Sequence, residues 1–423
     1  MTVTSSDLDT GTGYGRPASR HDARLTEVGP GTPMGEALRR YWHPVASSSG
    51  LTSDLPHRVR ILCEDLIVFR TRSGRPGVVF ERCSHRGSSL FYGRIEEDGI
   101  RCCYHGWKFD VQGHCLEQAC EPDRGRRRDV ARQPWYPVEE RYGLVFVYMG
   151  PPELKPPLPR YEFLEDLEEG EMYVSELPVP HGKVTGALID FNWLQAFENA
   201  MDPVHATWLH YEHSGPQFDG VGTTGAPHSF YDPYSVSDKI EYFKTDHGVG
   251  YRQRYEVEQP DGSTVTRYWS PEVHVPNIIL LPDFVKVVPD GRHDCVLFDV
   301  PVDDTHHRAF MTARTSDPDR LARITNSIKQ NGKQPWELTE EEHQRYPADF
   351  EAQGSQGPVT QHSEETLATS DKGVVMLRRL LKQMVDDVEA GRTPQNVDLG
   401  EAKPRRTTAG HFTEGVTAPV TGS

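Results

Sequence analysis

Four residues on two short loops carry the most specific chemistry in the chain. The text runs C-S-H-R-G-S-S-L from Cys83 and C-C-Y-H-G-W from Cys102, so each loop offers one thiolate and one imidazole. Two sulfur and two nitrogen ligands would satisfy tetrahedral zinc, but zinc loops usually pair Cys with Cys and His with His. One of each per loop suits a [2Fe–2S] cluster in which Cys83 and Cys102 bind one iron and His85 and His105 the other. Replacing two thiolates by neutral imidazoles raises the reduction potential and makes an electron relay. Gly87 and Gly106, after the histidines, are expected to let backbone N–H groups approach the sulfides. Cys103 competes with Cys102, but the C-x-x-H spacing to His105 selects Cys102. Cys63, Cys115, Cys120 and Cys295 show no ligand spacing and read as ordinary thiols.

A second group lies in N-W-L-Q-A-F-E-N-A-M-D-P-V-H-A-T-W-L-H, from Asn192 to His210. Iron(II) that activates O₂ is commonly held by two His and one carboxylate, with open positions left for reactants. His205 and His210 are five apart, a spacing that an ideal α-helix does not align. Pro203 is expected to kink or restart the helix there. Asp202, three before His205, can accept a hydrogen bond from an imidazole N–H. The two groups explain one another: a relay needs an acceptor, and an O₂-activating iron needs electrons.

The elements that position these residues are read from periodicity. Residues 1–30 are polar and Gly-rich and read as a loosely held arm, and P-M-G-E-A-L-R-R-Y-W at 33–42 as a short helix. Segments 58–70 and 77–81 are rich in β-formers, further short strands are expected through residue 148 (G-L-V-F-V-Y-M), and five prolines within 150–159 read as a linker. K-I-E-Y-F-K, G-Y-R-Q-R-Y-E-V, T-V-T-R-Y-W, P-N-I-I-L-L and C-V-L-F-D-V suggest successive antiparallel strands between 239 and 300. Helices are expected at 192–210, 319–329 and 373–390, the last with Val374, Val375, Leu377, Leu381, Met384 and Val388 at helical spacing. The fold class is therefore α+β. Its parts are an arm and short helix (1–42), a β-rich cluster domain (43–155), a catalytic domain (156–390) and a polar tail (391–423) that wraps the surface or a neighbour.

Composition narrows the setting. With 46 Lys and Arg against 63 Asp and Glu, the formal net charge is −17, which argues against nucleic acid or anionic membrane as a main partner. No run approaches the ~20 apolar residues of a membrane span. The start, M-T-V-T-S-S-D-L-D-T, lacks the basic end and apolar run of a secretory signal, so the cytoplasm is the expected location. Seven cysteines, an odd count in a chain this long, point to metal rather than disulfides.

Together the motifs resemble Rieske ring-hydroxylating oxygenase α subunits of the phthalate-dioxygenase-like branch. The likeness spans most of the chain: G-T-P-M-G-E-A-L-R-R-Y-W-H-P-V at 31–45, both cluster loops, Y-H-G-W-K-F-D at 104–110, E-N-A-M-D-P-V-H-A-T-W-L-H, and S-D-K-G-V-V-M-L-R-R at 370–379. The resemblance implies a Rieske domain plus a helix-grip catalytic domain with an antiparallel sheet, assembled as a homotrimer. It also implies that Cys83, His85, Cys102 and His105 hold the cluster and that His205 and His210 hold a mononuclear Fe(II). Asp202 would bridge His205 to His105 of a neighbouring subunit. The third iron ligand in this branch is an Asp eight before the Gly of a G-P-I-type turn; here G-P-V starts at Gly357, which points to Asp349, with Glu351 and Asp371 as alternatives. T-Q-H-S at 360–363 departs from the D-R-S or D-R-T of relatives and puts local geometry, and substrate contacts with it, in question.

The chemistry implied is O₂-dependent oxidation of an aromatic substrate, either hydroxylation or oxidative demethylation. The chain shows no dinucleotide fingerprint and no plant-type ferredoxin spacing, so a separate NAD(P)H-dependent reductase or ferredoxin is expected. The branch favours aromatic acids, and Arg252, Arg254, Arg267 and Lys286 are candidates to pair with a substrate carboxylate. Two other classes compete: a pure electron-transfer Rieske protein, which would lack the second group, and a zinc-bound binding module, which would be colourless.

Overall fold

The computed structural model describes residues 17–175, 188–217, 237–282, 290–291, 293–320, 322 and 329–415. Short strands dominate the first half. The β-rich segment 58–70 folds as two strands, β2 (His57–Ile61) and β3 (Glu64–Arg70), followed by β4 (Pro76–Phe80). With β9 (Trp135–Tyr136) these make a four-stranded antiparallel sheet in the order β2-β3-β4-β9. A second small sheet carries β5 (Arg94–Ile95), β6 (Ile100–Arg101), β7 (Trp107–Phe109) and β8 (Cys115–Gln118). A third joins β1 (Trp42–Ser47) to β11 (Leu144–Tyr148) and β10 (Val138–Arg141). One cluster loop leaves β4, and the other connects β6 to β7, so each hangs from one of the small sheets.

The second half is one broad antiparallel sheet under helices. After β12 (Arg160–Tyr161), the strands β13 (Met172–Val174), β14 (Leu188–Ile189), β15 (Ile240–Lys244), β16 (Gly248–Glu258), β17 (Thr264–Ser270), β18 (Glu272–His274), β19 (Ile278–Leu280), β20 (Cys295–Asp303) and β21 (His306–Thr315) are laid out in the order β13-β21-β20-β19-β18-β16-β17, with β14 paired to β21 and β15 to β16. The strands expected between 239 and 300 all form. Most of the helix expected at 319–329 lies outside the described residues. Among the described residues, no helix is long and apolar enough to cross a membrane.

Two segments that the sequence marks as loose are built into the body. Helix α1 (Ala23–Thr26) sets Leu25 and nearby Val28 fully inside, and Arg24 reaches Asp386 (2.7 Å) and Glu389 (3.1 Å). Helix α2 (Pro33–Leu38) is capped by Thr32, whose side chain accepts from Gly35 N–H, and it ends before Trp42 enters β1. At the other end, β22 (Pro404–Arg405) pairs with β12, and β23 (Gly410–Thr413) extends the large sheet beside β17.

The largest core links the two halves. It runs from Leu25 through β1 and β11 into the large sheet, where Phe146 meets Phe298 edge-on at 5.7 Å, and on to the long helix. A separate core of Ile67, Phe69, Val79, Leu90, Ile100 and Phe109 also encloses Cys83 and Cys102.

Candidate functional site

In the two cluster loops, Cys83 and Cys102 point inward and are 2% and 4% exposed, while His85 and His105 sit half-buried on the outer side. The two imidazoles approach to 4.6 Å between ring centres, edge to face, and Trp107 stacks flat on His85 at 4.3 Å. The N–H groups of His85 and Arg86 turn toward the Cys83 sulfur, and those of Tyr104 and His105 toward Cys102. The two sulfurs lie in contact, and each acts on the other: Cys102 and burial push the Cys83 thiol up, while Cys83 and the backbone N–H groups lower Cys102. Gly87 N–H closes onto Cys83 O (2.8 Å) and Gly106 N–H onto Cys102 O (3.2 Å), shaping the turns that aim those N–H groups at the sulfurs. The φ angles of these glycines are 75° and 70°, which is the requirement for glycine there. Cys103 faces solvent, 3.9 Å from Ser88 Oγ.

The second group lies on helix α3 (Trp193–Asn199) and helix α4 (Pro203–Thr207). Pro203 occupies the first turn of α4, and Asp202 caps it, accepting from Val204 N–H (3.1 Å) and His205 N–H (3.4 Å). Alignment of the histidines comes from the turns after α4. From Trp208 to His213 the chain winds as a π-helix, whose i→i+5 bonding brings residues five apart onto one side. Five residues of α-helix would leave them roughly 140° apart. Here the His205 and His210 rings lie 5.2 Å apart.

The third member comes from helix α6 (Asp349–Gly354), which lies after α5 (Glu340–Arg345). Asp349 Oδ1 lies 3.4 Å from His205 Nε2, and Oδ2 lies 3.2 Å from His210 Nε2. One ligand atom from each of the three falls within 4.8 Å of the others, the one such group of metal-binding side chains among the described residues. The donor set is two imidazoles and one carboxylate, which suits iron(II). Glu351 is engaged with His343 and with Ala348 N–H (2.8 Å), and Asp371 with Ala368 N–H (2.5 Å), so neither alternative reaches the histidines.

Electrostatics keep Asp349 ionised, and hydrogen bonds orient the two imidazoles. Burial alone would raise the Asp349 carboxyl, but the His210 and His205 rings outweigh it and hold it well below the usual range. Burial would likewise lower His205, yet Asp349 and then Asp202 raise it to about 8. The Nδ1–H of His205 goes to the backbone oxygen of Asp202, not to its carboxylate, which stays 3.9 Å away and half-exposed. His210 Nδ1–H donates to Gln217 Oε1 (2.6 Å), and Gln217 Nε2 is fixed to Pro347 O (2.8 Å). Both imidazoles thus present Nε2 to the centre. Asn199 Nδ2 reaches both His205 Nε2 (3.2 Å) and Asp349 Oδ1 (3.0 Å). Asn199 belongs to the E-N motif, which gives it no role by spacing; Gln217 carries no sequence signal at all.

Helix α7 (Lys372–Glu389) braces this assembly. At Gly373 a Cβ would stand 2.2 Å from Met201 O, so only glycine permits the approach. Arg378 spans Glu198 of α3 (2.5 Å) and Glu365 (2.5 Å). The 360–363 segment is divided: Thr360 N–H donates to Gln195 Oε1 of α3 (3.2 Å), whereas His362 Nδ1 accepts from Asp22 N–H (3.0 Å) and Ser363 N–H donates to Arg20 O (3.0 Å).

Register defines the sheet face under these helices. Val249, Val273, Ile279, Leu297 and Met311 are successive cross-strand partners and share one face. Leu297 and Met311 pack with Phe191, Ala309 and Ala196 of α3, and Phe191 touches Phe350 beside Asp349. On this face, opposite Ala309, Asp299 is 3% exposed and its Oδ2 meets no hydrogen-bond partner among the described residues; burial raises it to about 7. Arg267, paired with buried Tyr255, also faces inward, whereas Arg252 and Arg254 are exposed. Lys286 lies outside the described residues.

Residues 41–133 match the Rieske [2Fe–2S] domain. Phenoxybenzoate dioxygenase subunit alpha of Ectopseudomonas oleovorans is 46% identical over 402 residues, covering 93% of this chain and 91% of that one. The chain belongs to the Rieske oxygenase α subunits, in their phthalate-dioxygenase-like branch. The tert-butanol monooxygenase / tert-amyl alcohol desaturase oxygenase subunit of Aquincola tertiaricarbonis is 36% identical over 93% of this chain and 80% of its own length. Dicamba monooxygenase bound to dicamba shares the fold with a TM-score of 0.58 at 17% identity, over 84% of this chain and 99% of that one. The α+β architecture expected from sequence is thus that of a Rieske oxygenase, whose cofactors are a [2Fe–2S] cluster and a mononuclear iron.

Proposed function

We propose that this Rieske oxygenase is the terminal component of a multicomponent system in the cytoplasm, hydroxylating or O-demethylating an aromatic, carboxylated substrate. Electrons come from a separate NAD(P)H-dependent reductase or ferredoxin. The observation that carries the reading is that one chain brings His205, His210 and Asp349 within ligand distance of one another and also folds two Cys/His loops. Cys83, His85, Cys102 and His105 hold the cluster; His205, His210 and Asp349 hold the iron. When bound, these groups supply electron relay and O₂ activation. The 46% identity to a phenoxybenzoate dioxygenase subunit supports an aromatic acid as substrate.

The protein's own residues orient and exclude. Gln217 and the Asp202 carbonyl fix the two imidazole tautomers, and Asn199 restrains the Asp349 carboxylate. Leu297, Met311 and Phe191 line an apolar floor that keeps bulk water from the centre. Arg267 faces the same interior and is the best placed of the three described cations to meet a carboxylate. In a homotrimer, the exposed side of Asp202 would meet His105 of the next subunit. The test is a visible and EPR spectrum of the purified protein with metal analysis, expected at about three irons and two sulfides per chain. Product analysis with 3- and 4-phenoxybenzoate and a panel of other aromatic acids comes next; a colourless, zinc-containing protein would refute the reading.

A further inference from the structure

In a chain of net charge −17, residues 124–132 hold five arginines, Arg124, Arg126, Arg127, Arg128 and Arg132, against one acid, Asp129. All five arginines are exposed. Arg126 pairs with Asp123, but both are more than 70% exposed and the pair is 3.3 Å long, so it neutralises little. Arg124, Arg127 and Arg128 form no side-chain hydrogen bond or ion pair among the described residues. A cluster of unneutralised like charge is a cost to the isolated molecule, which makes its position informative.

The loop is pinned to the cluster loops at both ends. At its start, a Cβ on Gly106 would stand 2.9 Å from the Cβ of Ala119, so the second cluster loop lies against it. At its end, Gln133 Nε2 donates to Phe80 O (2.8 Å) and Arg82 O (2.9 Å) while its Oε1 accepts from Ser84 N–H (2.8 Å), between Cys83 and His85. Between these anchors the backbone makes an unusual turn, with Asp123, Arg124 and Gly125 all at positive φ (55°, 58° and 107°). Gly125 fits because a Cβ there would strike Gln118 at 2.2 Å. Asp123 and Arg124, though not glycine, both sit in the left-handed region, and the turn is seated through Gly125 against Gln118.

We propose that residues 124–132 are the docking surface for an acidic electron-donor protein, which the arginines steer to the cluster edge. The inference rests on the reading that electrons arrive from a separate protein. A basic patch on an otherwise acidic molecule orients an acidic partner, since the rest of the surface repels it. Attraction of this kind acts on encounter rate and is screened by salt.

The experiment is stopped-flow reduction of the oxidised holoenzyme, monitored through the cluster's visible spectrum, with a reduced acidic plant-type [2Fe–2S] ferredoxin as probe. Photoreduced deazariboflavin, small and neutral, is the control. Arg127→Glu/Arg128→Glu should slow the ferredoxin reaction by about 10-fold or more at low ionic strength, with the difference collapsing near ~0.5 M salt. Asp129→Asn should speed it, and neither variant should change the deazariboflavin rate. Equal ferredoxin rates for all three proteins would overturn the proposal. So would a wild-type protein that deazariboflavin reduces but the ferredoxin does not. Loss of oligomer in the double variant, measured by light scattering, would instead assign the loop to a subunit contact and equally overturn it. A wild-type protein without a Rieske spectrum would sink the functional reading itself, before the loop is tested.

Discussion

Asp299 offers a prediction whose size can be worked out beforehand. Its carboxyl is buried on the face beneath α3 without a hydrogen-bond partner, and burial alone raises it from 3.8 to about 7. A carboxyl raised in the folded state costs nothing below its unfolded pKa, where it is neutral in both states. Stability is lost progressively as pH climbs from the unfolded pKa towards the folded one, because there the unfolded chain ionises while the buried carboxyl does not, and the loss levels off above about pH 7. Between about pH 5 and pH 7 each unit removes about 1.4 kcal/mol, so the protein loses about 3 kcal/mol across that window, an upper value because local relaxation softens it. Asp299→Asn deletes the titration while keeping size and polarity. Its stability relative to the parent should therefore rise by up to about 3 kcal/mol from about pH 5 to pH 8. The assay is paired thermal melts of both holo-proteins at matched ionic strength, at half-unit pH steps. A difference in melting temperature that stays flat with pH would show that Asp299 titrates like a solvated acid, and the reasoning would fail.

Other expectations concern the two sites. Cys102→Ala should abolish the Rieske spectrum, while Cys103→Ala, altering an exposed thiol, should keep it. Gln217→Leu frees the His210 ring from its 2.6 Å partner and should weaken mononuclear iron binding by about 10- to 100-fold with the cluster spectrum intact, read by metal analysis after dialysis. Asp202→Asn should hold both metals but slow cluster reoxidation in single-turnover kinetics with substrate and O₂; wild-type rates would make the bridge dispensable. Gly373→Ala places a Cβ 2.2 Å from Met201 O, a backbone atom that cannot swing away, and should cost about 2 kcal/mol or more in a denaturant melt, together with iron occupancy.

The parts of the site legible in the sequence are those where chemistry dictates residue type and spacing together. A cluster held by two Cys and two His allows few spellings, so C-x-H and C-x-x-H stand out at Cys83 and Cys102. Asp349 comes through the resemblance alone, since nothing local separates it from Glu351. His205 and His210 are visible as a pair, and Pro203 is the only local feature that hints at how they align. The actual device, the wide turn from Trp208, depends on packing that no residue pattern announces. Gln217 escapes because glutamine is common and its partner depends on where the chain returns. The fold obeys the same rule: strands with alternating apolar residues can be found, whereas the arm carrying Leu25 and the short edge strand at Gly410 bury too few residues to register.

The unbroken core between the two halves bears on how this enzyme could be re-engineered. Modules joined by a flexible linker can be exchanged like beads, and the proline-rich segment at 150–159 invites that treatment. Here Phe146 and Phe298 are pressed together across the junction, and Leu25 belongs to the same interior. A chimaera cut at the prolines would therefore have to rebuild an apolar seam side chain by side chain, much as a transplanted half of a globular domain would. Retargeting is better attempted in pieces that end in backbone anchors. The stretch from Ala119 to Gln133 is one, since it can be swapped as a cassette without opening the seam.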